Sequence, residues 1–148
     1  MPVAKIMKNW TATPGYPLIT VDKAGDKLTL SQERFYASVL ATKKNQSWIF
    51  PISVISDVNK IEQKFLIDGK KITTAGFSKS KWIKANTFDT SFVRINYADE
   101  IREALAAPIK SGGKAFTEEG KFALVRDTFA LVESGHVDAD EALEFASY

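Results

Sequence analysis

The stretch Trp10-Thr11-Ala12-Thr13-Pro14-Gly15-Tyr16-Pro17-Leu18-Ile19-Thr20-Val21-Asp22-Lys23-Ala24-Gly25-Asp26-Lys27-Leu28-Thr29-Leu30-Ser31-Gln32-Glu33-Arg34-Phe35 decides the reading of this chain. Pro14, Gly15 and Pro17 mark a turn or a sheet edge, and Tyr16 to Val21 has the β-branched and large apolar composition of a strand. Asp22 to Asp26 is a short polar loop with a glycine, which suits a chain reversal. Leu28, Thr29, Leu30 and Ser31 then alternate apolar and polar, the period of a half-buried strand. The stretch therefore predicts a β-hairpin. On the same alternation Gln32 and Arg34 continue the face of Leu28 and Leu30, so they must reach a sheet edge or find hydrogen-bond partners.

Outward from the hairpin, short strand patterns recur. Ser47 to Ser56 predicts a strand, with Pro51 arguing for an edge position or a bulge. Lys60 to Asp68 predicts another, ended by Asp68-Gly69, and Lys70 to Thr74 is expected to pair briefly after that turn. Trp82 to Ala85 and Phe92 to Tyr97 alternate again around a loop at 86–91, while 36–46 is polar and irregular. Six or seven short strands with frequent turns predict an antiparallel β-sandwich of the immunoglobulin/fibronectin-like kind over residues 13–98.

Both flanks read as helix. Val3, Ile6 and Met7 have helical spacing, and residues 1–12 are expected to be the tail of a preceding helix, since so short a segment is marginal alone. From Asp99 the period becomes helical: Ile101, Leu105 and Ile109 recur every four residues, with Pro108 near the end and Ser111-Gly112-Gly113 as a break. Thr117 is an expected N-cap, with Glu118 and Glu119 at the positive end of the helix dipole. Phe122, Val125, Phe129 and Val132 form the expected apolar face, and Gly135 ends that helix. Asp138 and Glu141 form a capping-box-like start to a third helix, still running at Phe145. The chain is thus expected to be mostly β with C-terminal α, residues 99–148 opening a helical domain.

The 148 residues are 45% hydrophobic and 26% charged, ordinary for a soluble globular chain and enough to bury a core. A net charge of +2 gives little reason to expect a nucleic acid or an anionic membrane as partner. The absence of cysteine excludes disulfides, thiol catalysis and cysteine-bound zinc. No apolar run approaches the ~18 residues of a membrane span, and residues 1–10 lack a signal-like core, so a cytoplasmic location is expected. The sequons Asn9-Trp10-Thr11 and Asn45-Gln46-Ser47 then read as chance occurrences.

The hairpin resembles a known family. Trp10-Thr11, Pro14-Gly15-Tyr16-Pro17, Val21 and Leu28-x-Leu30-x-Gln32-x-Arg34-Phe35 look like the segment following the catalytic domain in zinc-dependent gluzincin aminopeptidases of the puromycin-sensitive and tricorn-interacting-factor type. Trp82-Ile83-Lys84-x-Asn86 with Phe92-x-Arg94-x-Asn96-Tyr97 resembles the pattern that closes the sandwich there, with Ser91 and Val93 standing where Gly and Tyr are usual. Leu124-Val125-x-Asp127-x-Phe129-Ala130-Leu131 followed by Gly135 resembles the opening of the family's helical domain. The usual Asp-Arg pair ahead of that core is not evident at Gly120-Lys121. The resemblance implies a zinc peptidase as parent, with zinc outside this chain, and the catalytic and helical domains of the same protein as partners.

Candidate chemistry inside the chain has plainer readings. A zinc site of this family needs His-Glu-x-x-His, and His136 is the only histidine, expected as an exposed residue after a helix. The family's Gly-x-Met-Glu-Asn substrate-anchoring motif is absent as well. Glu118/Glu119 and Asp138/Asp140/Glu141 sit at helix starts, where capping explains them. Gly112-Gly113-Lys114 lacks the spacing of a phosphate loop. Lys79, Lys81 and Lys84 with Phe77 and Trp82 could bind a single-stranded nucleic acid, but alternation puts Trp82 in the core with lysines at the rim. Trp10 and Trp48 read as buried anchors. No catalytic, cofactor-binding or metal residue is assigned, and the chain alone is expected to be inactive, with self-association through exposed apolar faces. The alternative is a free-standing β-sandwich interaction module.

Overall fold

The computed structural model describes residues 2–38, 40–42, 44–59, 61–112 and 115–147. A helix α1 (Val3–Ala12) precedes strands β1 (Pro17–Ala24), β2 (Lys27–Arg34), β3 (Ile49–Ser56), β4 (Gln63–Asp68), β5 (Lys71–Thr74), β6 (Ile83–Ala85) and β7 (Arg94–Tyr97). Helices α2 (Asp99–Lys110), α3 (Glu118–Glu133) and α4 (Ala139–Ala146) follow. The strands form two sheets, ordered β5-β2-β1-β7 and β4-β3-β6, which is the expected β-sandwich followed by helices. Lys60, at the head of the expected fourth strand, and Gly113-Lys114 lie outside the described residues.

The core lies between the sheets. Ile19, Val21, Leu28 and Leu30 from one meet Trp48, Phe50, Ile52, Val54 and Ile67 from the other, all essentially inaccessible. Each such side chain contributes about 1.5–3 kcal/mol by leaving water. The hairpin is tighter than expected: Ala24 pairs with Lys27, so Asp22 to Ala24 are strand and only Gly25-Asp26 turn. Gly25 supplies φ +60°, and the Asp26 carboxylate accepts from the Gly76 and Ser78 amides at 3.1 and 2.9 Å. Those amide donors hold its carboxyl below the usual range.

Two strands depart from the expected pairings. β5 does not fold back on β4; it crosses to the other sheet and pairs with β2, Leu30 opposite Ile72. Gly69 turns the chain at φ +125°, and buried Gln32 holds the crossing, donating from Nε2 to Gly69 O at 2.6 Å and Trp48 O at 2.8 Å. Its Oε1 accepts the Trp48 amide at 2.9 Å, so the polar continuation of an apolar face is satisfied. β7 runs parallel to β1, Ile19 opposite Ile95, because the chain enters it from the opposite sheet rather than through a hairpin. Pro51 sits in a central strand, yet β6 pairs β3 only over Val54 to Ser56, so its missing N–H faces no ladder partner on that side.

α1 docks on the start of β3. Trp10 Nε1 donates to Ile49 O at 2.9 Å, and Asn9 Oδ1 accepts the Ile49 amide at 2.8 Å. The Trp10 ring lies 6.2 Å from both Trp48 and Phe50. The amide of the Asn9 sequon is thereby engaged inside the fold.

The helices correct two expectations. α3 does not bury Phe122 and Phe129, which are 64% and 43% exposed; its inner face is Gly120, Ala123, Leu124, Asp127, Thr128 and Leu131. Asp138 caps no amide of α4 with its side chain, and Glu141 reaches instead to the buried Arg102 of α2. Ala142 and Phe145 of α4 are buried, Phe145 within the main core. Thr117 does cap α3, its Oγ1 accepting the Gly120 amide at 3.1 Å.

Candidate functional site

Buried polar chemistry concentrates where the β6–β7 connection meets α3. β6 is three residues long and wholly buried, so its central side chain, Lys84, enters the interior at 1% exposure. Its Nζ curls over the residues that follow it and donates to the carbonyls of Ala85, Asn86 and Thr87 at 3.4, 3.1 and 3.3 Å. The connection is folded tightly enough to present them. Asn86 and Asp89 both take left-handed φ, 51° and 54°, which short polar side chains tolerate. Asn86 closes the loop by accepting the Ser91 amide and donating to the Ser91 carbonyl, both at 3.0 Å. Ser91 also donates from Oγ to Pro51 O at 2.5 Å, a tether glycine would lack.

α3 brings the opposing charges. Asp127 Oδ1 accepts from Arg94 Nη1 at 2.9 Å and from Arg126 Nε and Nη2 at 3.1 and 2.9 Å, while its Oδ2 accepts the Ile95 amide at 3.0 Å. Arg126 also forks onto Asp89 at 2.6 and 2.9 Å. One carboxylate therefore ties α3 to β7, and one guanidinium ties α3 to the loop. The approach is close because Gly120 has no side chain: a Cβ there would lie 2.9 Å from Thr87 O and 3.2 Å from Lys84 Cε. Behind the loop, Tyr97 Oη lies 3.1 Å from the Ala85 amide and 3.3 Å from its carbonyl.

Burial governs the charges. It pushes the Lys84 ammonium down to about 8, against the upward pull of Asp127 and Asp89. Burial also raises the Asp127 carboxyl despite Arg126 and Arg94, and raises the Tyr97 phenol. Asp89 holds the less buried Arg126 firmly in its charged form.

A buried lysine near neutral pKa invites an amine-nucleophile reading. Access decides against it: the cavity beside Lys84, Asn86, Tyr97 and Asp127 is about 10 Å³, where small-molecule sites need roughly 300 Å³ or more. The cluster clamps a sandwich loop to a helix. Lys84, Arg94 and Asp127 stand in the resemblance motifs and Asp89 and Arg126 do not, but a mid-helix Asp and a strand Lys carry no role until the fold opposes them.

The other candidates stay apart. His136 is exposed, as expected, with Nδ1 2.9 Å from Ser134 Oγ, in a cleft of about 200 Å³ beside Glu33, Arg34 and Tyr36. Among the described residues no three His, Cys, Asp or Glu side chains gather as a metal site. Glu118 pairs with Lys121 at 2.7 Å, beside the capped helix start. The basic–aromatic patch is not assembled: Lys79 and Lys81 are exposed, Lys84 points inward, Phe77 is in the core and Trp82 packs edge-on to Phe116 at 5.1 Å.

No protein-family model matches the chain. Curated proteins do. The chain is 29% identical over 153 residues to a puromycin-sensitive aminopeptidase of Caenorhabditis elegans, covering 98% of this chain and 16% of that protein. It is 28% identical over 142 residues to the tricorn protease-interacting factor F2 of Thermoplasma acidophilum, covering 96% and 16%. Human endoplasmic reticulum aminopeptidase 1 is 25% identical over 147 residues, covering 99% and 16%. The chain spans 16% of the length of these relatives and is similar to them across nearly all of itself.

Proposed function

We propose that this chain is the β-sandwich linker and the opening of the helical domain of a zinc aminopeptidase, and that it hydrolyses nothing by itself. The observation that carries the reading is the end-to-end similarity to aminopeptidases within one-sixth of their length. By resemblance, the whole protein removes N-terminal residues from peptides with a zinc-activated water, and its zinc ligands lie outside this chain. The chain's own residues supply rigidity. The clamp of Lys84, Asp89, Arg94, Arg126 and Asp127 fixes α3 on the sandwich, so that the catalytic and helical domains of the same protein are held at a set angle. A cytoplasmic location fits the cysteine-free composition. Among the described residues no helix is long and apolar enough to cross a membrane.

The test is direct. The purified chain, offered zinc and an aminoacyl-anilide, should bind no stoichiometric metal and release no product; zinc-dependent turnover would sink the proposal. A second reading, a free-standing interaction module, is favoured by the anchoring of both outer helices, Trp10 on Ile49 and Phe145 in the core. Sequence of the coding region before Met1 separates the two: a His-Glu-x-x-His helix supports the peptidase reading, and an unrelated sequence supports the module.

A further inference from the structure

The cleft between the end of β2 and the α3–α4 turn is lined by hydrogen-bond donors that the fold leaves unused. Its volume is about 200 Å³, and Arg34, Tyr36, Ser38, Ser134 and His136 stand around it. Arg34 is held in place: Nη1 donates to Gln46 Oε1 at 2.7 Å, and Cζ lies 5.2 Å from the centre of the Tyr36 ring. Among the described residues its Nε and Nη2 donate to nothing. Those two atoms form a guanidinium edge that can receive an oxyanion through paired hydrogen bonds. Gly15 keeps that edge clear, because a Cβ there would lie 2.9 Å from Nε and 3.2 Å from Nη2.

The hydroxyls repeat the pattern. Tyr36 Oη accepts the Lys44 amide at 2.6 Å and Ser38 Oγ accepts the Leu40 amide at 3.2 Å, so each keeps its own proton for an outside acceptor. His136 supplies the opposite function. Ser134 gives its one proton to Leu131 O at 3.1 Å, so the 2.9 Å contact with His136 is donated by the ring's Nδ1. In the neutral ring Nε2 is then an acceptor. We propose that this cleft binds a phosphate group, free or as a monoester. The unused donors and the held guanidinium call for an oxyanion, and Glu33 at the rim is itself engaged. Nε2 selects among oxyanions: hydrogen phosphate has a P–OH proton to give it, whereas a carboxylate or sulfate at neutral pH has none. The inference is additional to the peptidase reading and does not rest on it.

The experiment follows the isotope-labelled chain by NMR at constant ionic strength while inorganic phosphate is added, with sulfate and acetate as controls. Saturable shifts centred on the Arg34 side chain, Tyr36, Ser38 and His136 are expected, phosphate binding at least about tenfold tighter than either control. Arg34→Lys keeps the charge but loses the paired edge, and should weaken phosphate about tenfold. His136→Phe, at an exposed position, should keep a dispersed spectrum and lose most of the preference over sulfate, so it carries the test alone if Arg34→Lys disturbs the hairpin. Phenyl phosphate, titrated alongside, identifies the source: binding tighter than the free ion supports a monoester, and weaker binding supports the ion itself. Equal affinity for sulfate or acetate, shifts centred elsewhere, no saturation, or undiminished phosphate binding in the folded variants would overturn the proposal.

Discussion

The two sides of α3 invert the usual expectation about what a helix buries. Its inner side is sealed although Gly120, Asp127 and Thr128 stand there beside Ala123, Leu124 and Leu131; its outer side carries Phe122 and Phe129, 64% and 43% exposed. The difference teaches that the helix is oriented by what it must reach rather than by what is most apolar. Asp127 has two donors waiting on the sandwich side, the Ile95 amide and the Arg94 guanidinium, and Gly120 lets the backbones approach. Rotating Phe122 and Phe129 inward would gain apolar burial of a few kcal/mol but strand the arginines and the loop, a comparable or larger cost.

The hardest strain on that comparison is Asp127→Ala. It leaves Arg94 and the Ile95 amide without their acceptor while Arg126 keeps Asp89, and the expected loss is about 3–5 kcal/mol in urea unfolding, with α3 signals perturbed first. A loss under about 1 kcal/mol would mean that the inner face is held by Leu124 and Leu131 alone.

Next comes the charge under the helix. The Lys84 ammonium sits near 8 in the fold against 10.5 when unfolded. Between those values the unfolded chain binds a proton that the folded chain has released, so this group's contribution to stability rises with pH across the window. The gain is up to about 3 kcal/mol, and unfolding at pH 7.5 and 9.5 should show part of it in the native chain and none in Lys84→Met. The same pH slope in both proteins would remove Lys84 from the account.

Gly120→Ala probes the close approach. Alanine gains about 1 kcal/mol of helix propensity but meets the Thr87 carbonyl at 2.9 Å, and overpacking costs 1–3 kcal/mol, for a net loss of about 1 kcal/mol. A more stable variant would show that the loop yields freely. The smallest effect belongs to the outer face: Phe122→Ser should change stability by less than about 0.5 kcal/mol in thermal or urea unfolding. A loss of 2 kcal/mol or more would place Phe122 in a packed interior and collapse the contrast.

Local pattern made much of this molecule legible. The hairpin alternation, the strand after it, the Thr117 cap, and the obligation on Gln32 to find partners are written in neighbouring residues, because each depends on backbone conformation over a few positions. The resemblance to aminopeptidases was legible in the order of short motifs, and the relatives bear it out along the chain. The clamp was not legible. Lys84 reads as a rim lysine in an alternating strand, and Asp127 as a polar position in an amphipathic helix, until residues more than thirty apart are opposed.

By itself, then, the sequence determined the elements, the β-sandwich followed by helices and the likeness to aminopeptidases. Those follow from periodicity, turn residues and motif order, which are local. The tertiary structure alone decided that β5 changes sheets, that β7 runs parallel, that Glu141 serves Arg102 instead of a cap, and which side of α3 faces inward. Each depends on a partner distant in the chain, Gln32 for the crossing, β1 for β7, Arg102 for Glu141, and Arg94 with the Ile95 amide for α3, which only the assembled fold supplies.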